Sequence, residues 1–266
     1  MSHAVPRQPA RWRWLAPLPA LALALASCAV LEEEPRLAEE ERGRAVRVAA
    51  FSQAAPTGEP PPGWQPWIIL RSKTPTRYAL VENHGKVVLR AEARTSASGL
   101  YREIHVNPRR HPILAWRWRV DAAVPGADPR RRAAEDAPAR ILVAFTGDRD
   151  KLDFAERTNM ALAKALSGQQ LPYATLMYIW SDQLPVGTVV PSPHTGRIQM
   201  IVAATGPARP GAWTALERNV AEDYRRAFGE EPGEIHAVGV MTDTDNTAGE
   251  AVAYYGDIVF RAAPRR

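Results

Sequence analysis

The sequence predicts a mainly β protein, an antiparallel β-sandwich of jelly-roll type with one or two short helical insertions. Three observations carry this. Apolar runs of strand length recur along the chain, each bounded by Gly, Pro, Asn or Asp. The 24 prolines favour many turns over long helices. Only two stretches have a helical period, too few for the strand-helix alternation of a parallel α/β sheet.

At the N-terminus, Arg7, Arg11 and Arg13 precede "LAPLPALALALASC", an apolar run shorter than the roughly 18 to 20 residues a spanning helix requires, and read as a secretion signal. Its end, Leu25-Ala26-Ser27-Cys28, resembles the lipobox of bacterial lipoproteins, in which the cysteine is acylated after cleavage just before it. Cys28 is the one cysteine of the chain. Two or more acyl chains on it would anchor the protein stably in a membrane. By resemblance to proteobacterial sorting rules, Ala29 after the cysteine points to the outer membrane, with the protein facing the periplasm. The expected organisation is a signal over 1–27, an acidic tether over 28–44 ("AVLEEEPRLAEEERGR" after the cysteine), a sandwich over 45–262 and a tail over 263–266. Removing 1–27 takes three arginines and no acids, so the formal charge falls from +5 to +2. That leaves no electrostatic case for nucleic acid.

Strands are expected around 46–51 and in "WIIL" (67–70), "RYALVE" (77–82), "KVVLRAEA" (86–93), "GLYREIHV" (99–106), "ILAWRWRV" (113–120), "ARILVAF" (139–145), "ATLMYIW" (174–180), "IQMIVAA" (198–204), "IHAVGVM" (235–241) and "AVAYYGDIVF" (251–260). The proline-rich "PTGEPPPGWQP" reads as a surface loop. The helices are "DFAERTNMALAKALSG", with Ala155, Leu162 and Leu166 near one face, and "NVAEDYRRAFG", with Asn219 as N-cap and Val220, Tyr224 and Phe228 on one stripe. In 113–120 the side chains alternate. Leu114, Trp116, Trp118 and Val120 share the expected core face, and Arg117 and Arg119 share the other, where they need solvent, carboxylates or an anionic ligand.

The segments "SASGLYREIHVNPRRHPILAWRWRV", "EDAPARILVAF", "LMYIWSD", "RNVAEDYRRAFG" and "VMTDTDNTAGEAVAYYGDIVF" together resemble the bacterial family named domain of unknown function 3047. The resemblance runs from about Val46 to Phe260. It implies little about activity. More loosely, the pattern is similar to jelly-roll sandwiches that bind galactose and other sugars.

The polar members of these motifs are the candidate ligand-binding residues: Asp136, Arg140, Trp180, Asp182, Arg218, Asp243, Asp245 and Asn246, with Asp223 beside Arg218 and with Arg117 and Arg119. An Arg218–Asp223 pair is equally expected to hold a helix on a sheet. Asp243, Asp245 and Asn246 in "DTDNT" supply hard oxygens of the kind calcium takes, although Gly249 and Tyr254 depart from the EF-hand pattern and a plain turn also fits. The histidines have no zinc spacing, no G-x-S-x-G elbow is present and no glycine-rich phosphate loop follows a strand. The expectation is a lipid-anchored envelope protein whose sandwich binds a carbohydrate or another polar envelope component. A glycan hydrolase using paired aspartates and a protein-interaction module are the alternatives, the latter marked by an exposed apolar patch with a polar rim.

Overall fold

In the computed structural model the described residues are 45–206 and 211–264. The expected signal, Cys28 and the acidic tether lie outside them. Thirteen strands build two sheets: β1 (Ala45–Ala49), β2 (Gln65–Ile68), β3 (Arg77–Asn83), β4 (Lys86–Arg94), β5 (Ala97–Val106), β6 (Ile113–Val120), β7 (Ala137–Phe145), β8 (Ala174–Ser181), β9 (Val189–Pro191), β10 (Ile198–Thr205), β11 (Thr214–Asn219), β12 (Ile235–Asp243) and β13 (Glu250–Arg261). Two α-helices accompany them among the described residues, α1 (Phe154–Ser167) and α2 (Val220–Phe228). No helix among the described residues is long and apolar enough to cross a membrane.

The six-stranded sheet runs β11-β6-β13-β4-β3, and β1 joins the C-terminal half of the long β13. The seven-stranded sheet runs β2-β5-β12-β7-β8-β10-β9. Every pairing is antiparallel except β8 with β10. The expected antiparallel sandwich thus contains one parallel pair. Residues 182–197 separate the two strands, which is enough chain for the crossover a parallel pair requires, and the same stretch supplies β9.

The main core lies between the sheets and takes alternate residues from most of the strands. Trp116 and Trp118 belong to it, meeting edge to face at 5.6 Å, and Trp116 lies 5.2 Å from Tyr178 of the opposite sheet. The opposite side of β6 carries Arg117 and Arg119, as the alternation requires. Arg119 is nevertheless buried, because its guanidinium stacks on Tyr254 at 3.8 Å and pairs with Asp121 at 2.9 Å. Arg117 stacks on Trp213 at 4.6 Å, and a Cβ at Gly256 would stand 2.4 Å from its Nε. Glycine at 256 therefore makes room for this arginine.

A second apolar cluster covers the outer face of the seven-stranded sheet and includes Leu142, Met177, Ile179, Met200, Val202 and Met241. This sheet is buried on both faces, so β7 and β8 are buried along their whole length. α2 has Asn219 as N-cap, accepting from the Glu222 N–H at 3.2 Å, and ends at Gly229 with φ 71°. α1 is capped by Asp153 and Gly168. Its expected apolar face is not a core face: only Met160 and Ser167 are buried, and Leu162 and Leu166 are exposed.

Candidate functional site

Arg140 projects from β7 onto the outer face of the seven-stranded sheet, because its neighbours Ala139 and Ile141 take the core side. Its guanidinium is fully buried and almost fully bonded. Nε and Nη2 donate to the two oxygens of Asp243 on β12, each at 2.9 Å; Nη1 donates to Glu135 Oε1 at 2.8 Å and Nη2 to the Glu135 carbonyl at 2.9 Å. The sulfurs of Met177 and Met200 lie 3.8 and 3.7 Å from Nη1. Behind it, the Arg140 N–H donates to the Tyr255 hydroxyl at 3.3 Å, which itself donates to the Met241 carbonyl at 2.7 Å. At the open side, His194 Nε2 lies 3.1 Å from Glu135 Oε2.

The electrostatics follow from burial. Desolvation pushes Asp243 up to about 7 against the attraction of Arg140, and the nearby Asp136 and Glu135 carboxylates add to the push. Glu135 is also buried, yet Arg140 and His194 hold it below the usual range.

The "DTDNT" loop closes one end. Asp136 takes the Thr247 N–H and hydroxyl on one oxygen, each at 2.7 Å, and the Asn246 N–H and side-chain amide on the other, each at 3.2 Å. Asp245 pairs with Lys73. Asp136, Asp243 and Asp245 each bring an oxygen within 4.8 Å of the others, so the carboxylates of the loop converge with that of Asp136. Only Asp245 Oδ1 among their oxygens lacks a donor. A calcium ion would compete for these carboxylates with Lys73 and Arg140. Adding calcium after EDTA is therefore expected to leave the melting temperature unchanged, whereas a rise of several degrees would mean that the ion displaces these cations.

The remaining sequence candidates lie elsewhere. Trp180, a candidate ligand-binding residue, is buried between the sheets, since alternation along β8 puts it with Leu176 and Tyr178. Asp182 is exposed, and with Trp180 and Asp136 it borders a crevice of about 10 Å³, too small for a ligand. Arg117 and Arg119 stand on the other sheet. Arg218 binds Asp223 through Nε at 2.8 Å and Nη2 at 2.5 Å, while Arg226 and the Tyr178 hydroxyl each donate to the same carboxylate at 2.9 Å. Asp223 thus ties α2 and β11 to the seven-stranded sheet.

Sequence reasoning missed Glu135, His194, Lys73 and Trp67 as site residues. The acidic pair Glu135-Asp136 before β7 was the available signal for the first of them. A two-lobed groove runs over the outer face of the seven-stranded sheet. One lobe, about 370 Å³, has Arg140, Met177, Met241 and Asp243 in its lining, with Ile68–Leu70, α1 and 192–195 around them. The other, about 330 Å³, is lined by Tyr101, Glu103, Leu142, His236, Gly239 and residues 169–172. Trp67, Leu171, Thr195 and Ile198 line both. Each lobe is of ligand size. Trp67 lies close against the sheet because position 99 is glycine: a Cβ there would stand 3.0 Å from its ring and 2.8 Å from the Val240 carbonyl. Gln169 fastens the segment after α1 to β2, accepting from the Ile68 N–H at 3.1 Å and donating to the Pro66 carbonyl at 3.0 Å. Burial lowers the pKa of His236, and its Nδ1 has no partner among the described residues.

Fold and site together define a two-sheet β-sandwich with a groove on one outer face, floored by a buried Arg–Asp–Glu network. The chain belongs to the family described as protein of unknown function (DUF3047), which it matches over residues 62–259. No curated protein matches it. Among solved structures it is similar to a β-1,2-glucanase from Parabacteroides distasonis, at 15% identity and TM-score 0.35, covering 76% of this chain but only 23% of the glucanase. It is also similar to a family 30 carbohydrate-binding module of a cellulosomal cellulase from Clostridium thermocellum, at 7% identity and TM-score 0.37, over 83% of this chain and 99% of the module. A third is a cellulase derived from that of Rhodothermus marinus, at 11% identity and TM-score 0.39, over 81% of this chain and 99% of the cellulase.

Proposed function

We propose that this chain is a lipid-anchored, periplasm-facing envelope protein, held in the outer membrane through Cys28, whose groove binds a carbohydrate-bearing envelope component. The observation that carries the binding reading is the placement of Trp67. It lines both lobes, half-buried, beside Leu171 and near Gln170, His236 and Tyr101. An aromatic face with hydrogen-bonding groups around it matches a sugar ring, which has apolar C–H faces and polar edges.

Binding is favoured over hydrolysis by the state of the carboxylates. Glu135 and Asp243 have pKa values displaced in opposite directions, as an acid and base pair would. Both oxygens of Asp243 are held by Arg140, however, and proton transfer to a glycosidic oxygen would require breaking that pair.

A glycan array of envelope polysaccharides probed with the full chain tests the reading. Trp67→Ala is expected to weaken any positive signal by about tenfold or more, the loss typical of a truncated aromatic anchor. Equal binding by wild type and variant would move the site away from this groove. The anchor is tested separately. Cys28→Ser is expected to abolish incorporation of labelled palmitate and to release the protein from membranes; unchanged membrane fractionation without labelling of the wild type would exclude acylation.

A further inference from the structure

Five large apolar side chains are exposed among the described residues, and three of them, Ile68 at 38%, Leu162 at 57% and Leu166 at 51%, line the Arg140 lobe. Single exposed apolar residues are ordinary, but several on the rim of one cavity mark a surface awaiting a cover. α1 contributes two of the three. It is a 14-residue helix that keeps only Met160 and Ser167 buried, so its leucines are not explained by packing within the chain. A sugar ring placed against Trp67 in the neighbouring lobe would leave them exposed.

The charge at this lobe is arranged in a complementary way. Arg140 is taken up by Asp243 and Glu135, and Lys73 by Asp245. Arg132, exposed on the same lobe, has no partner among the described residues. One wall is thus apolar, and one cation on the lining is free. Resting on the reading that this groove is the binding site, we propose that its envelope ligand is an anionic amphipath: the hydrocarbon chain lies along Ile68, Leu162 and Leu166, and the anionic group sits at Arg132. Because the two lobes share Trp67, Leu171, Thr195 and Ile198, one molecule can place a chain in this lobe and a saccharide in the other.

The test is a series of alkyl phosphates, from hexyl to dodecyl, titrated calorimetrically into the full chain below their micelle-forming concentrations. Affinity is expected to rise by up to about fourfold per added methylene, the factor that follows from burying each one. The double variant Leu162→Asp with Leu166→Asp is expected to remove this dependence on chain length. Arg132→Ala is expected to weaken every member by a similar factor. The substituted side chains are exposed, so an unchanged melting temperature will show that the variants still fold. A flat series in the wild type overturns the proposal, as does a chain-length dependence that survives in the double variant. Glycan-array binding that depends on Trp67, together with a flat alkyl series, would overturn the amphipath while leaving the carbohydrate reading intact. A steep series with no glycan binding would do the reverse.

Discussion

Replacing Arg140 by alanine is expected to destabilise the domain by about 3–5 kcal/mol in chemical denaturation at neutral pH, the range found when one partner of a buried ion pair is removed. The guanidinium lies between Asp243 and Glu135, both buried, with Asp136 close by. Without it two carboxylates remain in a low-dielectric region with fewer donors: Asp243 keeps the Ala137 N–H at 3.1 Å, and Glu135 keeps His194 at 3.1 Å. The sign of the pH dependence then follows. Asp243 already titrates at about 7 in the folded protein, against an ordinary 3.8, so its ionisation opposes folding and stability from this group falls as pH rises between those values. Removing Arg140 raises that carboxyl further and turns Glu135 the same way. The variant should therefore recover stability relative to the wild type as pH is lowered from 7 toward 5. Loss of a constant amount across that range would show that the network is more hydrated than the geometry implies. Arg140→Leu combined with Asp243→Leu is expected to regain part of the loss, since an apolar pair removes the Asp243 desolvation penalty along with the attraction while Glu135 is left with His194. The double variant also separates stability from recognition.

How much of this was legible in the sequence differs by element. The orientation of β6 was readable because Leu114 and Val120 keep company with the two tryptophans in strict alternation, which is the signal a strand with two unlike faces leaves. β7 and β8 gave a strand but no face, since both of their faces are apolar and buried. Arg140 was identifiable as a polar residue in an apolar run, and its burial was not. The burial of Trp180 was hidden for the same reason. β9 and β11 were missed: β9 is three residues with a proline, and β11, "TALERN", is an edge strand whose Leu216 alone packs against the core. Of the candidate residues, Asp136, Arg140, Asp243, Asp245 and Asn246 come together, whereas Arg117, Arg119, Trp180, Asp182 and Arg218 do not join them. Lys73 and His194 lie in loops without any period and reach the site only through the fold, Lys73 across 172 positions to Asp245.

Trp118→Ala is expected to cost about 3–5 kcal/mol, the loss typical of a large-to-small change at a buried aromatic. Its side chain is 1% exposed and stands in the core between the sheets, across from Thr214 on β11 and Tyr255 on β13. Alanine there leaves a void bounded by β-sheet backbone on one side and by Trp116 on the other, neither of which can collapse into it without disturbing the strand ladder. The indole N–H is buried without a partner among the described residues, so removing it offsets the loss by about 1–3 kcal/mol, and burial of the ring, worth roughly 4–6 kcal/mol, still dominates the balance. Arg117→Ala on the same strand gives the contrast. It removes a cation stacked on Trp213 at 4.6 Å and leaves the core intact, so a loss of about 0.5–1 kcal/mol is expected. Urea unfolding of the two variants compares adjacent positions of one strand whose side chains point to opposite faces. Near-equal, small losses would put Trp118 in contact with solvent, and a loss for Arg117→Ala as large as that for Trp118→Ala would mean that the Arg117–Trp213 stack holds the outer face of the six-stranded sheet in place.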